Sequence, residues 1–150
     1  TALCTDEDFF RYASKQHLFV FKQLNLGNQG EAPIIASSWF ISSEIGNPIV
    51  VLTRNLLYAY WQDYDYLLNY FAFHLFFTMA CRRYENEWES IPAFNNSSPH
   101  MLMFELKRDY SSERWEQLMK MSGIHKLQRY DDYSDLKKSN YCKILDTYLQ

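Results

Sequence analysis

The middle of the chain carries apolar residues at helical spacing. In residues 49–62 this spacing places four apolar or aromatic residues on one helix face: Ile49, Leu52, Leu56 and Tyr60. This spacing predicts an amphipathic helix. Asn47 followed by Pro48 indicates where it starts, because Asn caps a first turn and proline needs no amide donor there. A second helix is predicted over residues 66–88. It is apolar on nearly all sides until Arg82, so we expect it to be central and buried.

The segments on either side of these helices predict a mixed fold. Residues 17–24 and 33–42 are short apolar runs typical of strands. Helices are predicted over residues 99–109, from Ser111 or Ser112 onward, and over 134–148, and residues 124–130 read as a strand or extended segment. Gly123 is expected to end the preceding helix in a left-handed cap. The predicted class is α/β, mostly helical, and the absence of any linker predicts a single segment over residues 1–150.

Composition excludes several classes of protein. The chain has 150 residues, a net charge of −3 and 47% hydrophobic residues, which excludes a disordered segment. The mild acidity argues against nucleic acid as a partner. The longest apolar run, residues 67–81, is shorter than the roughly 20 residues of a membrane span, so no transmembrane segment is predicted. Three widely spaced cysteines, with no secretory signal, favour free thiols in a reducing, cytoplasmic compartment.

Few side chains suggest chemistry on their own. Asp-x-Asp occurs at residues 6–8 and 63–65, and such pairs hold divalent cations in some enzymes, but an exposed loop and a solvated helix junction explain them more simply. His74 lies within the apolar helix, with Tyr70 one turn before it. It is either a hydrogen-bonded core residue or a residue facing a cleft. His125 directly precedes Lys126. A neutral imidazole can ligate a metal and an ammonium can bind phosphate, although packed and exposed roles remain open.

Five segments, in order along the chain, resemble one known family. They are SSWFISSEIGNP (37–48), LLYAYW (56–61), YFAFHLFFTMA (70–80), PHMLMFEL (99–106) and SGIHKL (122–127). They are similar to segments of bacterial capsular polysaccharide synthesis proteins, which are Asp-x-Asp sugar transferases related to family 32 glycosyltransferases. The resemblance covers roughly residues 1–130, and the last helix, within 131–150, lies outside it.

The resemblance implies an enzyme. It implies a GT-A-like, metal-dependent, retaining glycosyltransferase that uses Mn²⁺ or Mg²⁺ and a nucleotide sugar, expected to be a UDP-sugar. The acceptor would be a growing capsular or cell-surface polysaccharide. A lipid-linked acceptor would place the protein peripherally at the inner face of the membrane.

The resemblance also implies that residues 1–150 are the C-terminal, acceptor-side part of a longer enzyme. The opening TALCTD looks like the strand that follows the family's acidic segment. We therefore expect the metal-binding acidic motif upstream of Thr1, in another part of the same enzyme that this chain needs as its partner. This segment alone would then be inactive.

Individual roles follow residue by residue from the resemblance. His125 matches a position for the metal or the diphosphate, and Lys126 one for the phosphates. Ser38 and Trp39 match a strand that passes the sugar and the acceptor. His74, with Tyr70, matches a helix that faces the cleft and is the catalytic candidate. The sequence departs from the family at Asn69, where we expect an acidic residue.

Two other functions remain open. The chain could be a non-catalytic helical module that binds glycan or another protein. It could also be a purely structural helical domain whose resemblance arises from its aromatic content, which is 18% of residues.

Overall fold

A computed structural model of the chain describes residues 2–22, 24, 34–128 and 137–148. Within these ranges the elements run β1 (Ala2–Cys4), α1 (Glu7–Ser14), β2 (Leu18–Val20), β3 (Ile41–Ser43), α2 (Pro48–Asp63), α3 (Ala72–Arg83), α4 (Glu85–Ser90), α5 (Ser97–Glu105), α6 (Ser112–Met121), β4 (Ile124–Lys126) and α7 (Asn140–Tyr148). The predicted class, α/β and mostly helical, is confirmed. None of the helices in these ranges is long and apolar enough to cross a membrane.

The chain forms two compact units, a division that the sequence pattern does not indicate. The terminal unit comprises Thr1–Phe10 and Ser97–Gln150, and the central unit comprises Arg11–Asn96. Among its described residues, each unit contains one antiparallel sheet of two strands. In the terminal unit β1 pairs with β4, and in the central unit β2 pairs with β3. The described strands do not show a GT-A-like sheet, so that arrangement stays a prediction.

The start of α2 confirms the predicted cap. Asn47 is only 1% exposed, and its side-chain oxygen accepts hydrogen bonds from the amides of Ile49 (3.1 Å) and Val50 (3.3 Å). Its side-chain nitrogen donates to the carbonyl of His17 and to the Glu87 carboxylate. Asn47 therefore both starts the helix and ties it to two other parts of the central unit.

The prediction of one long buried helix over residues 66–88 is wrong. Residues 64–71 are irregular, α3 spans only Ala72–Arg83, and a break at Tyr84 separates it from α4. Asn69 explains the late start, because its side chain accepts from the amide of Phe71 (2.7 Å) and its carbonyl from that of Ala72 (3.0 Å). This local turn competes with helix, as Asn side chains often do.

The central unit packs around an aromatic cluster and the inner sides of α2 and α3. Phe19 of β2 is fully buried, and its ring lies 5.3–5.8 Å from those of Phe21, Phe40 and Phe94. A separate buried cluster against α2 and α3 contains Leu18, Val20, Ile49, Phe77, Ala80 and Trp88. Close-packed rings of this kind add to the hydrophobic stabilisation of the unit.

The terminal unit has a smaller core made by Leu3, Leu102, Leu106, Leu118 and Ile144. The predicted cap of α6 is confirmed, because the Ser111 side chain accepts from the amide of Arg114. Arg114 also pairs with Glu105, a buried carboxylate at the end of α5. The guanidinium of Arg114 holds the pKa of that carboxyl below its usual range. The predicted last helix corresponds to α7, while residues 134–136 lie outside the described part of the chain.

Gly123 has a different role from the predicted left-handed cap. Of the two described glycines, Gly46 alone has a positive φ. At Gly123 the chain from Thr5 to Phe9 approaches closely, and the amides of Thr5 and Asp6 both donate to its carbonyl. An added Cβ would lie 2.7 Å from the Cβ of Phe9 and 2.8 Å from that of Asp6. Glycine is needed here for close approach, and its helix-ending conformation is not left-handed.

Gly123→Ala is therefore expected to destabilise the protein by about 1–3 kcal/mol, because the backbone around α1 must move to admit the methyl group. Equilibrium urea unfolding measures the change. Gly46→Ala is the matched control, since Gly46 faces open space and its positive φ alone costs about 1–2 kcal/mol. A Gly123→Ala variant as stable as the wild type would contradict the close approach.

Candidate functional site

His74 lies beside the segment that precedes β3. It lies on α3 and is half-buried, with its ring 5.9 Å from that of Phe71 and 5.6 Å from that of Phe73, and the backbone carbonyl of Ala36 is close enough to act on its pKa. Burial lowers the pKa of His74 despite this carbonyl, which acts in the opposite direction. The imidazole is therefore neutral at pH 7. A neutral imidazole has one donor and one acceptor nitrogen, and the nearby Ala36 carbonyl favours the donor on its own side.

Ser38 and Trp39 follow directly on Ala36. The prediction placed them on a strand, but they lie in an irregular segment, and β3 begins only at Ile41. The amide of Ser37 donates to the carbonyl of Phe21 (3.0 Å), and the Trp39 ring stacks on the Phe21 ring at 5.0 Å. Ser38 itself is exposed. The segment 36–39 thus lies beside His74 at one end and is fixed by Phe21 at the other.

Tyr70 lies outside the helix that carries His74. It precedes α3 in a turn, so it does not share a helix face with His74 as the spacing predicts. Its side chain is 84% exposed, and its ring packs edge-on against Phe71. The structure therefore joins His74 to the segment bearing Ser38 and Trp39, while the role of Tyr70 stays a prediction.

His125 is the most unusual side chain of the terminal unit. It lies on β4 opposite Leu3 and is 0% exposed, and both of its ring nitrogens are buried with no hydrogen-bond partner among the described residues. Burial lowers its pKa to about 4. The carbonyl of Ser122 is close enough to oppose that shift but lacks hydrogen-bond geometry. A buried polar group without a partner is rare in folded proteins and needs an explanation.

The side chain of Lys126 points to the opposite face of β4 from that of His125. Successive residues of a strand point to opposite faces, so the Lys126 side chain diverges from that of His125. Lys126 is half-buried, and burial lowers its pKa. The structure thus separates the imidazole from the ammonium that the sequence set side by side. Their assigned roles at the diphosphate stay predictions.

The residues present do not by themselves make a site for Mn²⁺ or Mg²⁺. These cations prefer several oxygen ligands, and His125 offers a single buried nitrogen. In the ranges that the structure describes, no three His, Cys, Asp or Glu side chains are grouped as a metal site. The metal at His125 therefore remains a prediction.

The two Asp-x-Asp pairs have structural positions. At residues 6–8 both carboxylates are exposed and Asp6 lies in a loop, as the simpler interpretation predicts, but the Asp6 side chain accepts from the amides of Asp8 (2.9 Å) and Phe9 (3.2 Å) and so caps α1, which contains Asp8. Asp followed by two acidic residues in a first turn was the signal for this helix. Asp63 is the last residue of α2, and Asp65 is exposed just beyond it.

Sequence reasoning also missed a pocket beside α2. The apolar stripe predicted only an amphipathic helix, whereas the structure has a pocket of about 170 Å³ between α2 and α3, and the exposed Arg54 is among its lining residues. Arg54 was overlooked because a single exposed cation on a helix gives no pattern.

The chain matches one known protein family over almost its whole length. The model of the family described as capsular polysaccharide synthesis protein matches residues 1–145, a span that includes His74, the segment 36–39 and His125. The chain belongs to the capsular polysaccharide synthesis protein family. Membership gives the protein a role in capsule biosynthesis. The family match also reaches most of α7, beyond the segments on which the resemblance rests. No curated protein matches the chain, and no solved structure does.

Proposed function

We propose that the protein is a glycosyltransferase that moves a sugar from a nucleotide-sugar donor, a UDP-sugar, onto a growing capsular polysaccharide. The observation that carries the proposal is the family match over residues 1–145. A polysaccharide grows by formation of glycosidic bonds, and each new bond needs an activated sugar and an acceptor hydroxyl. A metal-dependent, retaining reaction belongs to the same proposal.

His74 is our choice for the residue that handles the acceptor hydroxyl. Its ring is neutral at pH 7 and oriented by the Ala36 carbonyl, so the second nitrogen is available as an acceptor. In the proposed step the acceptor oxygen bonds to the anomeric carbon of the donor on the face from which UDP departs, so the configuration is retained, and the bond from that carbon to UDP breaks. The hydroxyl proton passes to His74, and UDP leaves with the bonding electron pair. Trp39 and Ser38 on the adjoining segment would contact the sugar through a ring face and a hydroxyl.

His74→Gln is expected to lower turnover about 100-fold, because loss of a general base has this order of effect. The measurement is release of UDP from a panel of UDP-hexoses, with Mn²⁺ and a capsular glycan acceptor, by the full-length protein. His17→Gln is the matched control. His17 is an exposed histidine paired with Glu44 at 2.8 Å, and its loss leaves turnover unchanged.

The outcomes separate the candidate functions. Turnover that survives His74→Gln would remove His74 from the reaction while keeping the transferase. Glycan binding without release of UDP from any donor would favour the non-catalytic module. Neither binding nor turnover would favour a structural domain.

A further inference from the structure

The pocket between α2 and α3 has almost wholly apolar walls. Its volume is about 170 Å³. It is bounded by Val50, Leu57 and Tyr58 of α2 and by Phe73 and Phe77 of α3, with Arg54 at the edge. An enclosed apolar cavity of comparable size, about 150 Å³, accepts benzene, and this pocket has similar walls but is partly open to solvent. Such a space suits about six carbon atoms better than it suits water.

The hydroxyl of the buried threonine that lines the pocket already has a hydrogen-bond partner. Thr53 is buried, and its hydroxyl donates to the carbonyl of Ile49 one turn earlier, at 2.8 Å. A sugar placed in this pocket would leave its hydroxyls unpaired, which is costly. The walls therefore select an aliphatic or aromatic group and disfavour a glycan.

Arg54 adds a positive charge at the edge of this otherwise apolar pocket. It is exposed, and its Nε and Nη2 donate to the neutral side-chain oxygen of Asn55 at 3.3 and 3.1 Å. In the part of the chain that the structure describes, no carboxylate forms an ion pair with it. A guanidinium without an acidic partner is well suited to a phosphate or carboxylate, which it binds through paired hydrogen bonds.

We propose that this pocket binds an acidic amphiphile, with the apolar chain between α2 and α3 and the anionic head group paired with Arg54. An isoprenyl phosphate and a fatty acid share this chemistry. The inference goes beyond the proposed function, because binding needs no sugar transfer and either proposal can fail without the other.

An apolar surface continues from the pocket along the chain. Tyr58 is 64% exposed, and Trp61, one turn further on the same face of α2, is 47% exposed. Beyond the helix, Leu67 and Leu68 are also more than half exposed. The Tyr60 hydroxyl fixes this stretch by donating to the carbonyl of Tyr66 (2.6 Å) and accepting from the amide of Leu68 (3.0 Å). A chain longer than the pocket thus has further apolar surface to cover.

Titration calorimetry on the purified full-length protein tests the proposal, with farnesyl monophosphate below its micellar concentration as the probe. We expect saturable binding that Arg54→Gln weakens about tenfold, the order of effect of losing a hydrogen-bonded charge. Gln has nearly the helix propensity of Arg, so this variant keeps the fold. Arg82→Gln removes an exposed guanidinium from α3 and is the matched control, with unchanged affinity expected. Val50→Phe, which fills the pocket, is expected to abolish binding, with a thermal melt to verify folding.

Further probes distinguish isoprenyl phosphates from fatty acids as ligands. They also show which part of the proposal a negative result would overturn. Laurate bound as tightly as farnesyl monophosphate, with the same dependence on Arg54, supports the proposal and adds fatty acids to the ligands. Farnesol bound as tightly as the phosphate overturns recognition of the head group. Competition by inorganic phosphate at equal concentration overturns the role of the apolar pocket. Binding to phosphatidylglycerol vesicles without binding of any soluble amphiphile also overturns it, and indicates adsorption to a bilayer.

Discussion

His125→Leu is expected to be at least as stable as the wild-type protein at pH 7.5 and to resist acid better. The substitution replaces two buried nitrogens that have no hydrogen-bond partner among the described residues with apolar atoms of similar volume. In the wild type, burial lowers the pKa of His125 to about 4, whereas the unfolded chain has the ordinary value of about 6.5. The unfolded state then binds more protons between these values. Stability is therefore complete above pH 6.5 and falls by up to about 3 kcal/mol as the pH approaches 4.

Denaturant unfolding at several pH values between 7.5 and 4.5 measures this effect. The wild type should lose stability over the window and His125→Leu should lose less. His17→Gln is an informative control of opposite sign. The hydrogen bond and charge of Glu44 raise the pKa of His17, so that pair adds stability at low pH which the variant lacks. A His125→Leu protein that is clearly less stable at pH 7.5 would mean that the imidazole has a partner in the folded protein.

The same variant separates structure from function at this position. A variant that keeps its stability but loses transfer would show that the imidazole is retained for activity, since natural proteins accept unfavourable buried groups at functional sites. Full transfer by His125→Leu would remove His125 from the proposed site.

Phe19→Ala is expected to cost about 3–5 kcal/mol, the usual price of removing a buried phenyl ring. Phe19 is fully buried and contacts three other rings, so the surrounding side chains cannot close the cavity without breaking further contacts. Equilibrium unfolding provides the measurement. Phe10→Ala is the matched control, because Phe10 is 49% exposed and should cost well under half as much. Equal losses from the two variants would contradict the aromatic core.

The effect should extend to the candidate site. Phe21 contacts Phe19 and also stacks on Trp39, so a cavity at Phe19 loosens the support of the segment 36–39. Transfer by the folded fraction of Phe19→Ala should therefore fall as well, which Phe10→Ala should not cause.

The sequence predicts those elements whose signals are local. Asn47 with Pro48 placed the start of α2 within a residue, and Ser111 placed that of α6, because a cap and the first turn it satisfies are neighbours in sequence. Asp6 is a local signal of the same kind, because its side chain caps α1, a helix that the apolar pattern does not predict. The break before α3 depends on one Asn69 side chain within an apolar run, where hydrophobic periodicity alone favours continuing the helix.

Long-range features were less predictable. β1 and β4 are three residues each, too short to show alternation, and their pairing joins the two ends of the terminal unit. The sequence singled out His74, Ser38 and Trp39 through the family resemblance, and the structure adds the Ala36 carbonyl that connects them. The strand predicted over residues 124–130 already implies that the neighbours His125 and Lys126 point to opposite faces, although the resemblance assigned both of them to one diphosphate.

The pairing of β1 with β4 also determines the order in which the protein acquires its structure during synthesis. The central unit, Arg11–Asn96, is continuous and emerges from the ribosome whole. Leu3 can pair with His125 only after His125 has been synthesised, about 120 residues later. This takes roughly 10 s at ordinary rates of translation. During that interval β1 is an unpaired apolar edge on the nascent chain, at which mispairing or chaperone binding is most expected.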